Sequence, residues 1–288
     1  MLVLAGAGLS PHGITSEVIQ LLKQADKVYV DTYTSPKSHW VYELALRHNE
    51  RSEIASRKTL EDESSKIIEE AREKTIVILS PGDPLVATAH QALLAEAQSR
   101  GIEVRYVPGV SGVTTAKTFS GLSYYRFGRT VTAPGPWRGA GFSSVLLTVY
   151  GNLCIDAHTL VLLDISDEGE MIRPSSAMEN LLKYERELSE TLGIRLIVYE
   201  TPVILVVAAG RDTGKVLLFD SPIKLIASKG LSDEPSSIII PAPLSGTESW
   251  ILEMRVKKKL SSIWTKRSYS RREVCSNYER LFCWISEG

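Results

Sequence analysis

The chain has 288 residues, room for one large or two medium domains, and its 43% apolar and 23% charged residues are ordinary for a soluble globular protein. With 33 Lys and Arg against 34 Asp and Glu the formal charge is −1, so no general attraction to nucleic acid or membrane is expected. No apolar run approaches the ~20 residues of a spanning helix.

Met1-Leu2-Val3-Leu4-Ala5-Gly6 enters a strand-like segment without a basic leader, so no secretory signal is expected. Leu2–Ala5 reads as the first strand. The turn Gly6-Ala7-Gly8-Leu9-Ser10-Pro11-His12-Gly13 follows, and then a helix with Ile14, Val18, Leu21, Leu22 and Ala25 on one face, capped by Thr15 or Ser16. Lys27–Asp31 reads as a second strand, completing a βαβ unit. Its first turn has Gly-x-Gly but lacks the third glycine of the dinucleotide fingerprint, and Asp31, the acidic residue that ends the second strand, is only loosely at the required spacing. A mixed helix is expected at 38–49. A charged helix should run from Glu61 to Lys74 with Ile67, Ile68 and Ala71 inward.

Thr75-Ile76-Val77-Ile78-Leu79 is the pattern of a strand buried on both faces of a parallel sheet. The turn Ser80-Pro81-Gly82-Asp83-Pro84 follows, and Val86, Ala89, Leu93 and Ala97 then recur at helical spacing up to Gly101. Asp83 before Pro84 fits a helix N-cap, and it equally fits a ligand residue, because open α/β sheets bind ligands beyond the carboxyl ends of their strands. A further strand, 102–107, ends in Pro108-Gly109-Val110-Ser111-Gly112, which opens a helix that stops near Gly121. Three glycine-bearing turns, at 6–13, 80–84 and 108–112, should share one sheet edge and recognise a ligand largely through backbone.

A second α/β region is expected from Thr130. A Pro/Gly-rich loop occupies 134–141, and a strong strand covers Thr159–Ile165. A helix over about 175–190 has Met178, Leu181, Leu182 and Leu188 as core candidates, and strands follow at 202–210, 215–219 and 237–240. Residues 246–288 carry nine Lys and Arg against five Glu, which reads as a solvated or partly disordered basic tail. The domains are placed at 1–122 and 129–245, with the structure of the tail left open. Cys154, Cys275 and Cys283 are too few and too scattered for a disulfide framework or a four-ligand zinc site. Reduced thiols, a cytoplasmic location and no metal are the expectation.

Gly6-Ala7-Gly8-Leu9, Asp31-Thr32-Tyr33-Thr34-Ser35, Pro81 to Thr88 and His158 to Ile165, in this order, resemble the diphthine synthase family of the tetrapyrrole methylase superfamily over roughly 1–243. The resemblance implies two α/β domains, a mostly parallel N-terminal sheet and a mixed C-terminal one, usually in a homodimer. It implies S-adenosyl-L-methionine held between the domains, with contacts at Leu9, Asp83, Val86, Ser111, Gly112, Leu163 and Ala209. Where the family has a histidine near 236 this chain has Ser236-Ser237, and Ser236 takes that place. The implied substrate is translation elongation factor 2, methylated on the amine of a 3-amino-3-carboxypropyl-histidine, to the trimethylammonium form in archaeal-type enzymes; no direct nucleic acid contact is implied. The stretch 134–157 and the tail depart from the family pattern. Alternatives are a precorrin or other tetrapyrrole methyltransferase, a non-catalytic nucleotide-binding module, or a Rossmann dehydrogenase. His12 is the better histidine to meet substrate, with Tyr33 and Arg126 as further cleft candidates; His90 and His158 read as structural.

Overall fold

The computed structural model describes residues 1–228 and 234–287. They divide into two units, Met1–Thr115 with Ile165–Glu170 and Gly210–Asp212, and Ala116–Asp164 with Met171–Ala209 and Thr213–Gly288. Among the described residues no helix is long and apolar enough to cross a membrane.

The first unit alternates strand and helix: β1 (Leu2–Gly6), α1 (Ser16–Gln24), β2 (Lys27–Asp31), α2 (His39–His48), β3 (Ser52–Ala55), α3 (Ser64–Glu70), β4 (Ile76–Ser80), α4 (His90–Ser99), β5 (Val104–Val107) and the first turn of α5 (Gly112–Phe119), whose residues from Ala116 on belong to the second unit. All five strands are parallel, in the order β3-β2-β4-β1-β5. The middle of each inner strand is a continuous apolar or aromatic run because both its faces are covered, with polar Lys27, Asp31 and Ser80 only at strand ends. Leu2, Leu4, Ile76 and Ile78 pack with Ile67 and Ile68 of α3 and Leu93 and Ala97 of α4. Val3, Ala5, Val28, Val30, Val77 and Leu79 pack with Val18, Leu21 and Leu22 of α1 and Val41 and Ala45 of α2. Thr15 caps α1, its hydroxyl accepting from the Val18 amide at 3.3 Å.

Three local expectations differ. β3 went unread because Ser-Glu-Ile-Ala is short and, as an edge strand, half exposed. The charged helix is shorter than expected: a single π turn over Lys58–Asp62 precedes α3. Most consequentially, α4 begins at His90, so Asp83 caps no helix. Ala87, at φ +60°, leaves the helical region, and the Pro84 carbonyl is taken by side chains instead of a helical amide. Val86 and Ala89, expected on the buried face, are exposed.

The second unit comprises β6 (Val131–Ala133), α6 (Ser143–Cys154), β7 (Thr159–Leu163), α7 (Pro174–Leu192), β8 (Val203–Val207), β9 (Lys215–Phe219), α8 (Pro222–Ala227), β10 (Ser236–Ile240), α9 (Gly246–Val256) and α10 (Arg271–Glu287). Its sheet is mixed, in the order β6-β7-β10-β8-β9, with only β6–β7 parallel. Val161, Leu163, Val203, Leu205, Val207, Ile238 and Ile240 face a core filled by α6, α7 and α10. The helix α6 lies in the stretch 134–157, where the sequence departs from the usual family pattern.

The carboxyl-terminal segment is no solvated extension, which corrects the reading of 246–288. Ser245 and Glu248 form a capping box that starts α9. Leu252, Trp264, Val274 and Leu281 are fully buried or within 1% of it. Three of the nine basic residues that suggested a free tail close off helix ends. Arg255 donates to the Phe119 carbonyl, Arg271 to that of Cys154 at 2.5 Å, and Arg280 to those of Leu192 and Gly193 at 3.3 and 3.1 Å. These are the carboxyl ends of α5, α6 and α7, where carbonyls lack helical partners and cations are favoured. A disulfide joins Cys154 to Cys275, with Cα atoms 4.9 Å apart, and overturns the expectation of three reduced thiols. The two lie 121 residues apart in the chain, so only the packing of α10 on α6 reveals the pair. Cys283 is free and exposed.

Candidate functional site

At the carboxyl edge of the first sheet the three glycine turns meet, as their spacing predicted. Gly8 and Gly82 exchange backbone hydrogen bonds of 3.1 and 2.7 Å, both with φ near +71°. A methyl group on Gly6 would lie 2.5 Å from the Gly109 nitrogen, and one on Gly109 would lie 2.0 Å from the Gly82 oxygen. Only glycine permits this approach of three backbones.

Asp83, 7% exposed, ties two of the turns together. Its Oδ1 accepts from the Leu85 amide at 3.0 Å, in an Asx turn. Its Oδ2 accepts from the Tyr106 hydroxyl at 2.7 Å and from the Gly109 amide at 3.2 Å. Burial, together with the hydrogen bond to Asp83, pushes the Tyr106 hydroxyl up to about 12. Three of the roughly four lone-pair positions of the carboxylate are thus occupied, and one is left for a ligand.

Beside these turns the hydroxyls of Ser80 and Ser111 are buried without a hydrogen-bond partner among the described residues. Unsatisfied buried hydroxyls cost free energy unless a bound molecule completes them. The Leu9 side chain stands over the glycines, its Cδ2 3.9 and 3.7 Å from where methyl groups on Gly82 and Gly112 would be. Val86 is 38% exposed on the 84–89 loop. Leu9, Asp83, Val86, Ser111 and Gly112, all expected from the sequence, therefore gather at one edge of one unit. The donor set suits a small molecule with both polar and apolar parts: glycine amides, two hydroxyls, a carboxylate corner and two aliphatic side chains.

Gly210 and Arg211 were missed. Arg211 Nε donates to the Leu9 carbonyl at 3.2 Å, and a methyl on Gly210 would sit 2.6 Å from Leu9 Cδ1. The small residues ending the expected strand at 202–210 were the available signal. The three remaining expected residues share one edge of the second sheet. Leu163 ends β7, Ser236 begins β10 opposite Val207, and Ala209 follows β8 after Ala208, itself at φ +47°. The Ser236 hydroxyl donates to the Glu234 carbonyl at 2.8 Å.

Other candidates resolve differently. Arg126 is no cleft residue: it is engaged by Glu248, by Asp156 at 3.2 Å and by the Pro243 carbonyl at 3.0 Å. Tyr33 is 5% exposed, with its hydroxyl on Glu61 at 3.2 Å. His12 is exposed in a 3-10 turn, Pro11–Gly13. His158 is structural, as expected: Nδ1 accepts from the Ala242 amide and Nε2 contacts Glu248, both at 3.0 Å. Burial alone would push Glu248 up; His158 and the amides of Ser245 and Ser123 outweigh it and hold the carboxyl well below its usual range.

Residues 1–220 match the family described as Tetrapyrrole (Corrin/Porphyrin) Methylases. The diphthine synthase of Aeropyrum pernix is 40% identical over 253 residues, covering 87% of this chain and 86% of that protein. That of Pyrobaculum neutrophilum is 35% identical over 257 residues, 88% and 97% of the two chains. A solved structure of a conserved hypothetical protein from Aeropyrum pernix K1 superposes with a TM-score of 0.88 at 36% identity, covering 98% of both chains. A crystal structure of diphthine synthase gives 0.76 at 28% identity over 88% of this chain and 95% of that one. With a converging glycine edge, a mixed second sheet and this extent of similarity, the chain is a methyltransferase and belongs to the diphthine synthase family of the tetrapyrrole methylases.

Proposed function

We propose that this enzyme binds S-adenosyl-L-methionine against the three glycine turns and methylates the amine of a 3-amino-3-carboxypropyl-histidine on translation elongation factor 2. The observation that carries the reading is the pair of buried, unpartnered hydroxyls, Ser80 and Ser111, beside backbone that only glycine allows. Leu9 and Val86 would offer apolar contact, Ser111 and Gly112 polar and backbone contact, and the open position on Asp83 would face cationic or hydroxyl groups of the cofactor.

When bound, S-adenosyl-L-methionine supplies an electrophilic methyl group on a sulfonium. Transfer to a neutral amine disperses charge rather than creating it, so what the protein must provide is alignment and partial exclusion of water. A rigid edge of three closely packed turns, with the 80–84 turn bonded to both of the others, suits that task, and no metal or nucleophilic triad is called for. The amine proton can leave to water. A homodimer acting in the cytoplasm completes the reading.

Calorimetry with S-adenosylhomocysteine is the direct test of the cofactor. Binding is expected, while a preference for ATP or NAD with no response to S-adenosylhomocysteine would favour a nucleotide-binding module. Labelled methyl should enter elongation factor 2 bearing the precursor group; incorporation into precorrins instead would make this a tetrapyrrole methyltransferase. Light scattering reads the dimer.

A further inference from the structure

Below the Pro-Gly-Asp-Pro turn lies a buried pair that the reading above does not use. His90, the first residue of α4, is 1% exposed, and Asp31, the last residue of β2, is fully buried. His90 Nδ1 lies 3.1 Å from the Pro84 carbonyl oxygen, which also accepts the Thr88 hydroxyl at 2.5 Å. A carbonyl can only accept, so Nδ1 carries the proton of this bond. The other ring nitrogen, Nε2, is buried without a hydrogen-bond partner and stands 3.8 Å from Asp31 Oδ2. Asp31 is itself held: Oδ1 accepts from the amides of Tyr33 and Thr34 at 3.1 Å each, and Oδ2 from the Thr34 hydroxyl at 2.7 Å.

The Pro84 carbonyl is one residue from Asp83, and the loop that follows passes through Ala87 at φ +60°. Such backbone persists only where surrounding contacts over-determine it. Loops of this length without a helix to order them are otherwise mobile. We infer that His90 is a positioning residue: buried under the turn, it fixes the Pro84 carbonyl and so sets the Asp83 carboxylate against Gly109. It never reaches solvent, so it acts on the reaction only through the turn. Burial of the ring, 1% exposed, keeps it in the orientation that points Nδ1 at Pro84.

The inference rests, for its link to affinity, on the cofactor reading above, and two measurements separate them. Amide hydrogen exchange at Leu85 and Gly109, both bonded to Asp83, reads the turn in the full-length protein with no ligand present. Titration with S-adenosylhomocysteine reads the site. The diagnostic variants are His90→Asn, whose amide nitrogen occupies the place of Nδ1, and His90→Gln, whose nitrogen lies at the Nε2 position. His90→Gln should exchange about tenfold faster at both amides and bind about tenfold more weakly, the worth of one buried hydrogen bond; His90→Asn should stay within about threefold of wild type.

Equal behaviour of the two variants, or unchanged exchange in a folded His90→Gln protein, overturns the inference. Faster exchange in His90→Gln alone, with no response of any variant to S-adenosylhomocysteine, upholds the positioning of the turn and fails only the cofactor reading. Both variants keep most of the buried volume, so the comparison survives even if His90→Ala does not fold.

Discussion

The molecule contains two buried histidine–carboxylate pairs, and they are built to different ends. In the second unit His158 has both ring nitrogens engaged, and Glu248 takes in His158, Arg126, two backbone amides and the Ser245 hydroxyl. Everything polar there is satisfied within the protein, which is what a structural knot requires. In the first unit His90 leaves one nitrogen without a partner, and two serine hydroxyls nearby are also unsatisfied. Among the described residues every buried side-chain polar atom without a hydrogen bond lies in the first unit, Arg57 Nε and Glu70 Oε2 included, and the two serine hydroxyls lie at the glycine edge, which separates a binding unit from a scaffold.

The largest expected effect breaks the binding edge itself. Gly109→Ala places a methyl 2.0 Å from the Gly82 oxygen, a backbone atom that cannot move without parting the turns. A loss of about 3 kcal/mol or a failure to fold is expected in urea denaturation. A wild-type midpoint would show that the turns are not truly in contact.

Next comes the scaffold knot. Glu248→Gln leaves His158 and Arg126 facing a neutral amide, and should cost about 3 kcal/mol at neutral pH. The sign of its pH dependence follows from the lowered carboxyl. A group whose folded pKa lies below its unfolded value stabilises above the unfolded value, about 4.3 for glutamate, and loses that contribution as pH falls below it. The stability gap between wild type and Glu248→Gln should therefore be full at pH 7 and shrink below about pH 4. A gap that widens in acid would contradict the arrangement.

Of similar or smaller size is the covalent tie between α6 and α10. Replacing Cys154 and Cys275 by serine, or reducing the wild type, should lower stability by about 3 kcal/mol, the usual range for a cross-link closing a long loop. A Tm unmoved by reductant, with the thiols shown to be free beforehand, would mean that the bond does not form in solution. The smallest effect belongs to the strained loop. Ala87→Gly relieves a left-handed alanine and should change stability by no more than about 1 kcal/mol, in the stabilising direction. Destabilisation would indicate that the alanine methyl is needed where it stands.

Legibility differed between the same two regions. The first sheet could be read because its inner strands have continuous apolar runs and three of its five strands end in glycine-bearing turns, both local features. Leu9, Asp83, Val86, Ser111 and Gly112 were picked out and do gather. Asp83 shows the limit: Asp-Pro after a strand is also a capping pattern, and the choice turned on Ala87 leaving the helical region seven residues after Ser80. In the second unit α6 was hidden in a segment with no recognisable turns or motif. The carboxyl-terminal segment misled because charge counts do not say what the charges meet. Its arginines meet helix carbonyls, a pairing set by contacts between residues more than 80 apart in sequence.

From sequence alone came the order of strands and helices in the first half apart from β3, the three glycine turns and the family, since each rests on residues adjacent in the chain or on motifs in series. Only the tertiary structure decided that α10 closes the second core, that Cys154 meets Cys275, and that His90 lies under the Pro84 carbonyl. Those depend on which distant surfaces pack together, and no period or composition within a single segment encodes that.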